Sequence, residues 1–89
     1  YYSLPRLDID GELVLGARRV AVEGSAWLDR EWGTSALGKD QRGWDWFALQ
    51  FEDGREFTYY RLRTRDDRTD PHSRGLLVAR DGSTVALLA

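Results

Sequence analysis

The most distinctive part of the sequence is residues 24–33, GSAWLDREWG, which is echoed after a short loop by GWDWF at residues 43–47. These two segments contain all four tryptophans of the chain. A tryptophan brings a large apolar ring and an indole N–H that needs a partner when it is buried. Because the rings frame Asp29, Arg30, Glu31 and Asp45, the pattern favours a surface that combines apolar walls with fixed charges.

The composition excludes several classes of protein. The 89 residues allow one small domain or a piece of a larger one. The 13 basic and 15 acidic residues are interleaved, which argues against a nucleic-acid interface because that requires a basic face. The chain has no cysteine and only one histidine, His72, so neither a disulfide nor a metal site is predicted. It also has no apolar run near the roughly 18 residues of a membrane span.

The alternation of apolar and polar residues predicts an all-β chain without a helix longer than one turn. Three Asp-Gly dipeptides, at residues 10–11, 53–54 and 81–82, predict tight turns between neighbouring strands. We therefore expect an antiparallel meander that forms part of a β-barrel, with a loop at residues 33–43 and another at residues 64–75. The seven predicted strands are residues 4–9, 12–15, 18–29, 44–51, 56–63, 76–80 and 83–88.

Strand parity assigns the unusual residues to faces. Trp27, Asp29 and Glu31 fall on one face of the strand that begins at residue 18, and Arg30 and Trp32 fall on the other. A glycine in the middle of this strand, at position 24, predicts a bend, a bulge or a close backbone approach.

Strand parity also assigns the residues of the next two strands to opposite faces. Trp44 and Trp46 share one face, whereas Asp45 lies on the face of Phe47. Tyr59 and Tyr60 point to opposite faces, so at most one of them reaches a given cavity. Both faces of the strand at residues 56–63 carry large side chains, which predicts that it is covered on both sides.

The acidic residues allow two interpretations. Asp29 or Glu31, desolvated by indole rings, would have a raised pKa and act as a general acid or base. Asp45 is either a charge at the strand edge or a buried, hydrogen-bonded acid, and in the second case it is a further candidate for acid–base chemistry. Alternatively, these carboxylates pair with arginines across the sheet and remain solvated, as most charge clusters do. The aromatic side chains, including that of Tyr59, either line a ligand pocket or fill a core.

The chain resembles the AttH/CrtC lipocalin-like family. The resemblance rests on the segment WLDREWG at residues 27–33, on GWDWFALQ at residues 43–50 and on the turn DGR at residues 53–55. This family includes carotenoid 1,2-hydratases (hydroxyneurosporene synthases), kievitone hydratase and predicted secreted hydrolases. The resemblance implies two lipocalin-like barrels in tandem, with residues 1–89 as one lipocalin-like domain or fragment near the start of the second barrel.

The resemblance also implies a function. It suggests a pocket for a lipophilic, isoprenoid or carotenoid-like molecule, lined by Trp27, Arg30, Trp32, Trp44, Trp46 and Tyr59. Hydratase-type members have a histidine after the aspartate, and here that position is Arg30, a poor proton shuttle. The two hypotheses are therefore a cofactor-free hydratase or hydrolase-like enzyme and a non-catalytic lipophile carrier of the cell envelope. The resemblance favours a periplasmic or secreted protein, and the open strand edges predict pairing with a first barrel or with another copy.

Overall fold

The computed structural model describes residues 1–33 and 37–89. These residues contain strands and turns but no helix, which confirms the all-β prediction. The predicted loop at residues 33–43 ends at Gln41, where a strand begins, and its residues 34–36 lie outside the described ranges. The strands are β1 (Tyr2–Leu15), β2 (Arg18–Arg30), β3 (Gln41–Gln50), β4 (Glu56–Thr64), β5 (Arg74–Val78) and β6 (Thr84–Leu88).

The first compact unit, Tyr1–Trp32, is a long antiparallel hairpin of β1 and β2. Its turn lies at Gly16, whose φ of 63° suits a tight connection. The predicted turn at residues 10–11 is wrong, because Asp10 pairs with Glu23 and Gly11 pairs with Val22 inside a continuous strand. The two short strands predicted before residue 16 are therefore one. Pairing along nearly the whole of β2 keeps this backbone extended through the Asp-Gly dipeptide.

The register of the hairpin is irregular between Leu4 and Leu7. Pro5 lies within this irregularity, and a proline has no N–H to donate to a ladder. The bulge and the close backbone approach expected at Gly24 are both wrong. Gly24 pairs in register with Ile9, and a Cβ at that position would meet nothing within 4 Å.

The second compact unit, Gly33–Ala89, contains a four-stranded sheet in the order β3-β4-β5-β6, with every pair antiparallel. This order confirms the predicted meander, although the described strands of neither sheet close into a barrel. Gly54 (φ 88°) and Gly82 (φ 86°) form the β3–β4 and β5–β6 turns, so two of the three predicted Asp-Gly turns are confirmed. In each turn the preceding aspartate accepts a backbone N–H, at 3.1 Å for Asp53 and 2.9 Å for Asp81.

The interior of the described structure is polar. No apolar side chain of the described residues is buried, whereas Glu56, Asp70 and Ser73 are. The hydroxyl of Ser73 donates to the Asp70 carbonyl at 2.7 Å and accepts the Leu62 N–H at 2.9 Å. Asp70 accepts a hydrogen bond from the amide of Gln41 at 3.3 Å. These contacts attach the polar β4–β5 loop to the sheet. The polar residues of this loop therefore make specific hydrogen bonds and are not only solvated.

Gly75 should be sensitive to substitution. A Cβ at this position in β5 would clash with the Thr58 carbonyl oxygen and would lie 2.6 Å from the Tyr59 ring. We expect Gly75→Ala to lower the unfolding free energy of the intact protein by about 1–3 kcal/mol, measured by denaturant titration. Gly11→Ala is the matched control, because its Cβ meets nothing within 4 Å, and it should change stability by less than about 0.5 kcal/mol. Equal losses in the two variants would contradict the described β4–β5 contact.

Candidate functional site

Asp29, at the end of β2, is the centre of a hydrogen-bond cluster in the hairpin. Its Oδ1 atom accepts from the Tyr1 hydroxyl at 2.9 Å, from the Ser3 hydroxyl at 2.5 Å and from the Trp27 indole N–H at 2.8 Å. Asp29 pairs with Ser3 across the two strands, and Trp27 precedes it by two residues on the same face. The geometry therefore supplies an oriented carboxylate.

The electrostatics of this cluster differ from the expectation of a raised pKa. Desolvation by burial acts to raise the pKa of Asp29, but the hydrogen bonds from Ser3, Trp27 and Tyr1 outweigh it and lower the pKa below its usual value. The expectation is wrong for Asp29 because the hydroxyl groups of Ser3 and Tyr1 donate to its carboxylate, and because the Trp27 indole donates a hydrogen bond instead of only excluding water. Desolvation, together with the charge and hydrogen bond of Asp29, raises the pKa of Tyr1 to about 12, although the Ser3 hydrogen bond opposes the change.

The strand predicted at residues 18–29 ends one residue beyond Asp29. β2 ends at Arg30, so Glu31 and Trp32 lie beyond it. The Trp32 ring is 69 % exposed and contacts Tyr2 edge to face, with ring centroids 6.1 Å apart. Tyr2 pairs with Arg30 across the two strands, so its contact with Trp32 puts the Trp32 ring on the Arg30 face, as strand parity predicted.

Asp45, in β3, is the centre of an ionic cluster in the second unit. Its Oδ2 atom lies 3.2 Å from Arg61 Nη1, and its Oδ1 atom lies 3.4 Å from Arg63 Nη1. Arg61 also donates to the Thr69 hydroxyl at 2.9 Å and to the Asp67 carbonyl at 3.1 Å. Asp45 therefore takes part in ion pairs, as the second interpretation of the acids predicted.

The β3–β4 register sets this cluster. Gln50 pairs with Glu56 beside the turn, so Asp45 stands opposite Arg61, and Gly43 stands opposite Arg63. Counting back from the Asp-Gly turn would have paired Asp45 with Arg61 from the sequence alone. Arg63 is among the arginines across the sheet that the sequence offered as ion-pair partners, whereas Tyr1 and Ser3 were not predicted, because the irregular register of β1 hides them from simple counting.

The aromatic candidates occupy opposite faces of the second sheet. Trp46 stacks on Tyr60, with ring centroids 5.9 Å apart, and Trp44 shares this face two residues away. Tyr59 lies on the other face, where it stacks on Phe57 at 6.5 Å. Trp44 and Trp46 therefore line one surface of the sheet, whereas Asp45 and Tyr59 line the other.

Comparisons with known proteins agree with this all-β architecture. The family model described as AttH-like matches residues 1–89. A crystal structure of a protein from Nitrosomonas europaea, described as a candidate AttH, has a TM-score of 0.81 and 31% sequence identity to this chain. The match covers 98% of this chain and 27% of that one, so this chain spans about a quarter of the length of its structural relative. No curated protein matches the chain at a significant level.

The fold is thus an open segment of the antiparallel type that lipocalin-like proteins use in their barrels. The chain belongs to the AttH-like family. Nothing among the described residues forms a helix long and apolar enough to cross a membrane.

Asp29 should make the stability of the hairpin depend on pH. Its pKa in the folded protein is lowered from 3.8, so its contribution is present above that value and is lost as pH falls through the folded pKa. We expect the difference in unfolding free energy between the parent protein and Asp29→Asn to be largest at neutral pH and to shrink below pH 4. Trp27→Phe keeps most of the ring but removes one donor, so an NMR titration should show a higher pKa for Asp29. Parallel stability profiles for the parent and Asp29→Asn would contradict the described cluster.

Proposed function

We propose that this chain forms part of a binding surface for a lipophilic molecule and that its acidic residues stabilise strands instead of transferring protons. The surface that best fits this role is one side of the second sheet, which we call the Phe47 face. Its members alternate with the tryptophan side along each strand. They are Phe47, Leu49, Phe57, Tyr59, Leu77, Val85 and Leu87.

The observation that carries this proposal is the exposure of large apolar side chains. Phe47 and Leu49 are each 47% exposed, and Val85 is 60% exposed. Burial of such a side chain contributes roughly 1.5–3 kcal/mol, so a lipophilic ligand that covers several of them gains substantial affinity. Contiguous apolar surface of this kind is typical of ligand-binding and interaction sites.

The state of the acids favours binding over catalysis. A general acid at neutral pH needs a raised pKa, whereas the pKa of Asp29 is lowered. Asp45 is engaged in ion pairs with Arg61 and Arg63, as expected of a carboxylate with a structural role. Both observations support the carrier hypothesis over the hydratase hypothesis, which requires a protonated group to donate to an alkene.

The remainder of the proposal concerns the larger protein. We place residues 1–89 as a lipocalin-like segment near the start of a second barrel, in a protein of the periplasm or the extracellular space. The outer edges of β3 and β6 would pair with other strands of that protein or with a second copy. The tryptophan side of the sheet would pack against the same partner. The chain spans 27% of its longer relative, which supports its being one segment of a larger protein.

An enzymatic role is the second candidate, and one observation favours it. Three donors orient the Asp29 carboxylate, which is a common property of catalytic groups. The test is incubation of the intact protein with an isoprenoid alkene in water labelled with oxygen-18, followed by mass spectrometry. A carrier should incorporate no label. Incorporation that is lost in Asp29→Asn, at a temperature at which the variant stays folded and with ligand affinity unchanged, would replace the carrier hypothesis with the hydratase hypothesis.

The binding proposal is tested by substitution of two leucines that lie on opposite sides of the second sheet. Leu49 lies on the Phe47 face and is 47% exposed, and Leu76 lies on the tryptophan side and is 39% exposed. We expect the intact protein to bind the neutral polyene methyl cis-parinarate with a micromolar Kd, followed by fluorescence. Leu49→Ser should weaken this binding at least fivefold because it removes apolar contact, and Leu76→Ser should leave it unchanged.

Each outcome decides a part of the proposal. No measurable binding of the polyene would overturn lipophile binding itself. Binding that is weakened by Leu76→Ser and not by Leu49→Ser would move the ligand to the tryptophan side. Thermal melts of both variants show whether a loss of binding reflects a loss of folding.

A further inference from the structure

The cluster around Asp45 carries an unbalanced charge. The guanidinium groups of Arg61 and Arg63 face a single carboxylate, so one positive charge remains without a partner inside the cluster. All three side chains are about one-third exposed, so water and solutes reach them. A half-exposed cation next to apolar surface is a favourable place for an anion, because its charge is less screened there than in bulk water.

Arg61 is the fixed member of this cluster. Each nitrogen of its guanidinium donates a hydrogen bond, to the Thr69 hydroxyl, to the Asp45 carboxylate and to the Asp67 carbonyl. These bonds attach Arg61 to the β4–β5 loop and hold it in one orientation. Arg61 therefore serves as a support for its neighbours.

Arg63 is the member of the cluster whose hydrogen-bonding capacity is not fully used. Its ion pair with Asp45 is long, at 3.4 Å, and its buried Nε atom has no hydrogen-bond partner among the described residues. Its Nη2 atom lies where a side chain at position 43 would begin, because a Cβ on Gly43 would be 2.8 Å from it. The absence of a side chain at Gly43 therefore makes room for this guanidinium. A planar guanidinium with free donors is well suited to a carboxylate.

The position of the cluster defines the kind of anion. Asp45 and Arg61 form one cross-strand pair, and Phe47 and Tyr59 form the next pair on the same face, about 7 Å away along the strands. The charged cluster therefore forms one end of the Phe47 face, and aromatic and aliphatic side chains form the rest.

We propose that Arg63, supported by Arg61, binds the carboxylate headgroup of an amphipathic ligand whose apolar chain lies along the Phe47 face. This inference rests on the proposed lipophile binding and adds the chemical class of the ligand, a long-chain carboxylic acid. Asp45 limits the affinity in this arrangement, because its negative charge competes with the ligand for Arg63. Removal of the Asp45 charge should therefore strengthen ligand binding. If Asp45 supported binding or catalysis, its removal would weaken them instead.

The test compares cis-parinaric acid with its methyl ester on the intact protein at pH 7.5, by fluorescence titration. The two probes share the polyene chain and differ in the charge of the headgroup. We expect the acid to bind about tenfold more tightly than the ester. Arg63→Gln should remove this preference and leave the ester unaffected, and Arg63→Lys should restore part of it. Asp45→Asn should increase the affinity for the acid several-fold.

Arg42→Gln is the matched control, because Arg42 is an exposed arginine in the neighbouring strand β3, next to Gly43. It should leave the preference for the acid intact, and melting curves identify any variant that fails to fold. Equal binding of acid and ester by the parent protein would overturn the headgroup site while lipophile binding stands. A preference that survives Arg63→Gln, or that disappears in Arg42→Gln, would also overturn it. Binding of neither probe would overturn both proposals.

Discussion

The pairing of β3 with β4 is the constraint on which the arrangement of the second unit depends. The turn at Gly54 sets the register, and from it follow the ion pair of Asp45 with Arg61, the stack of Trp46 on Tyr60 and the division of the sheet into two faces. A shift of one residue would move each of these side chains to the other face. The same register allows β5 and β6 to extend the Phe47 face, since each adds its own alternating apolar residues.

A sheet that is apolar on both sides must be covered on both sides to be stable. None of the apolar side chains of the described residues is buried, and the groups that are buried are polar. A short chain buries too little apolar surface to offset the conformational entropy of folding by a wide margin. We therefore propose that a ligand covers the Phe47 face and that the remainder of the protein covers the tryptophan side.

Much of this arrangement could be predicted from the sequence, and the exceptions have physical reasons. The alternation of apolar and polar residues, with the Asp-Gly turns, predicted the all-β class and the meander. It also predicted the opposite faces of Asp45 and Trp46, because side-chain direction in a strand depends only on parity. The turn expected at residues 10–11 failed because pairing with β2 outweighed local turn preference. The raised pKa expected for Asp29 failed because the donors Tyr1 and Ser3 come from a distant part of the chain. Contacts between residues far apart in sequence depend on register, and the β1–β2 register contains an irregularity that composition does not reveal.

The central claim is that a long-chain carboxylate lies along the Phe47 face with its headgroup at Arg63. The most direct measurement is photocrosslinking of a diazirine-bearing fatty acid to the intact protein, followed by mass spectrometry of the adducts. With the diazirine in the middle of the chain, the account predicts labelling of residues on the Phe47 face, such as Leu49, Tyr59 and Leu77. Competition by an unlabelled fatty acid should suppress these adducts. Labelling confined to Trp44, Trp46 and Leu76, or spread evenly over the protein and insensitive to competition, would contradict the account.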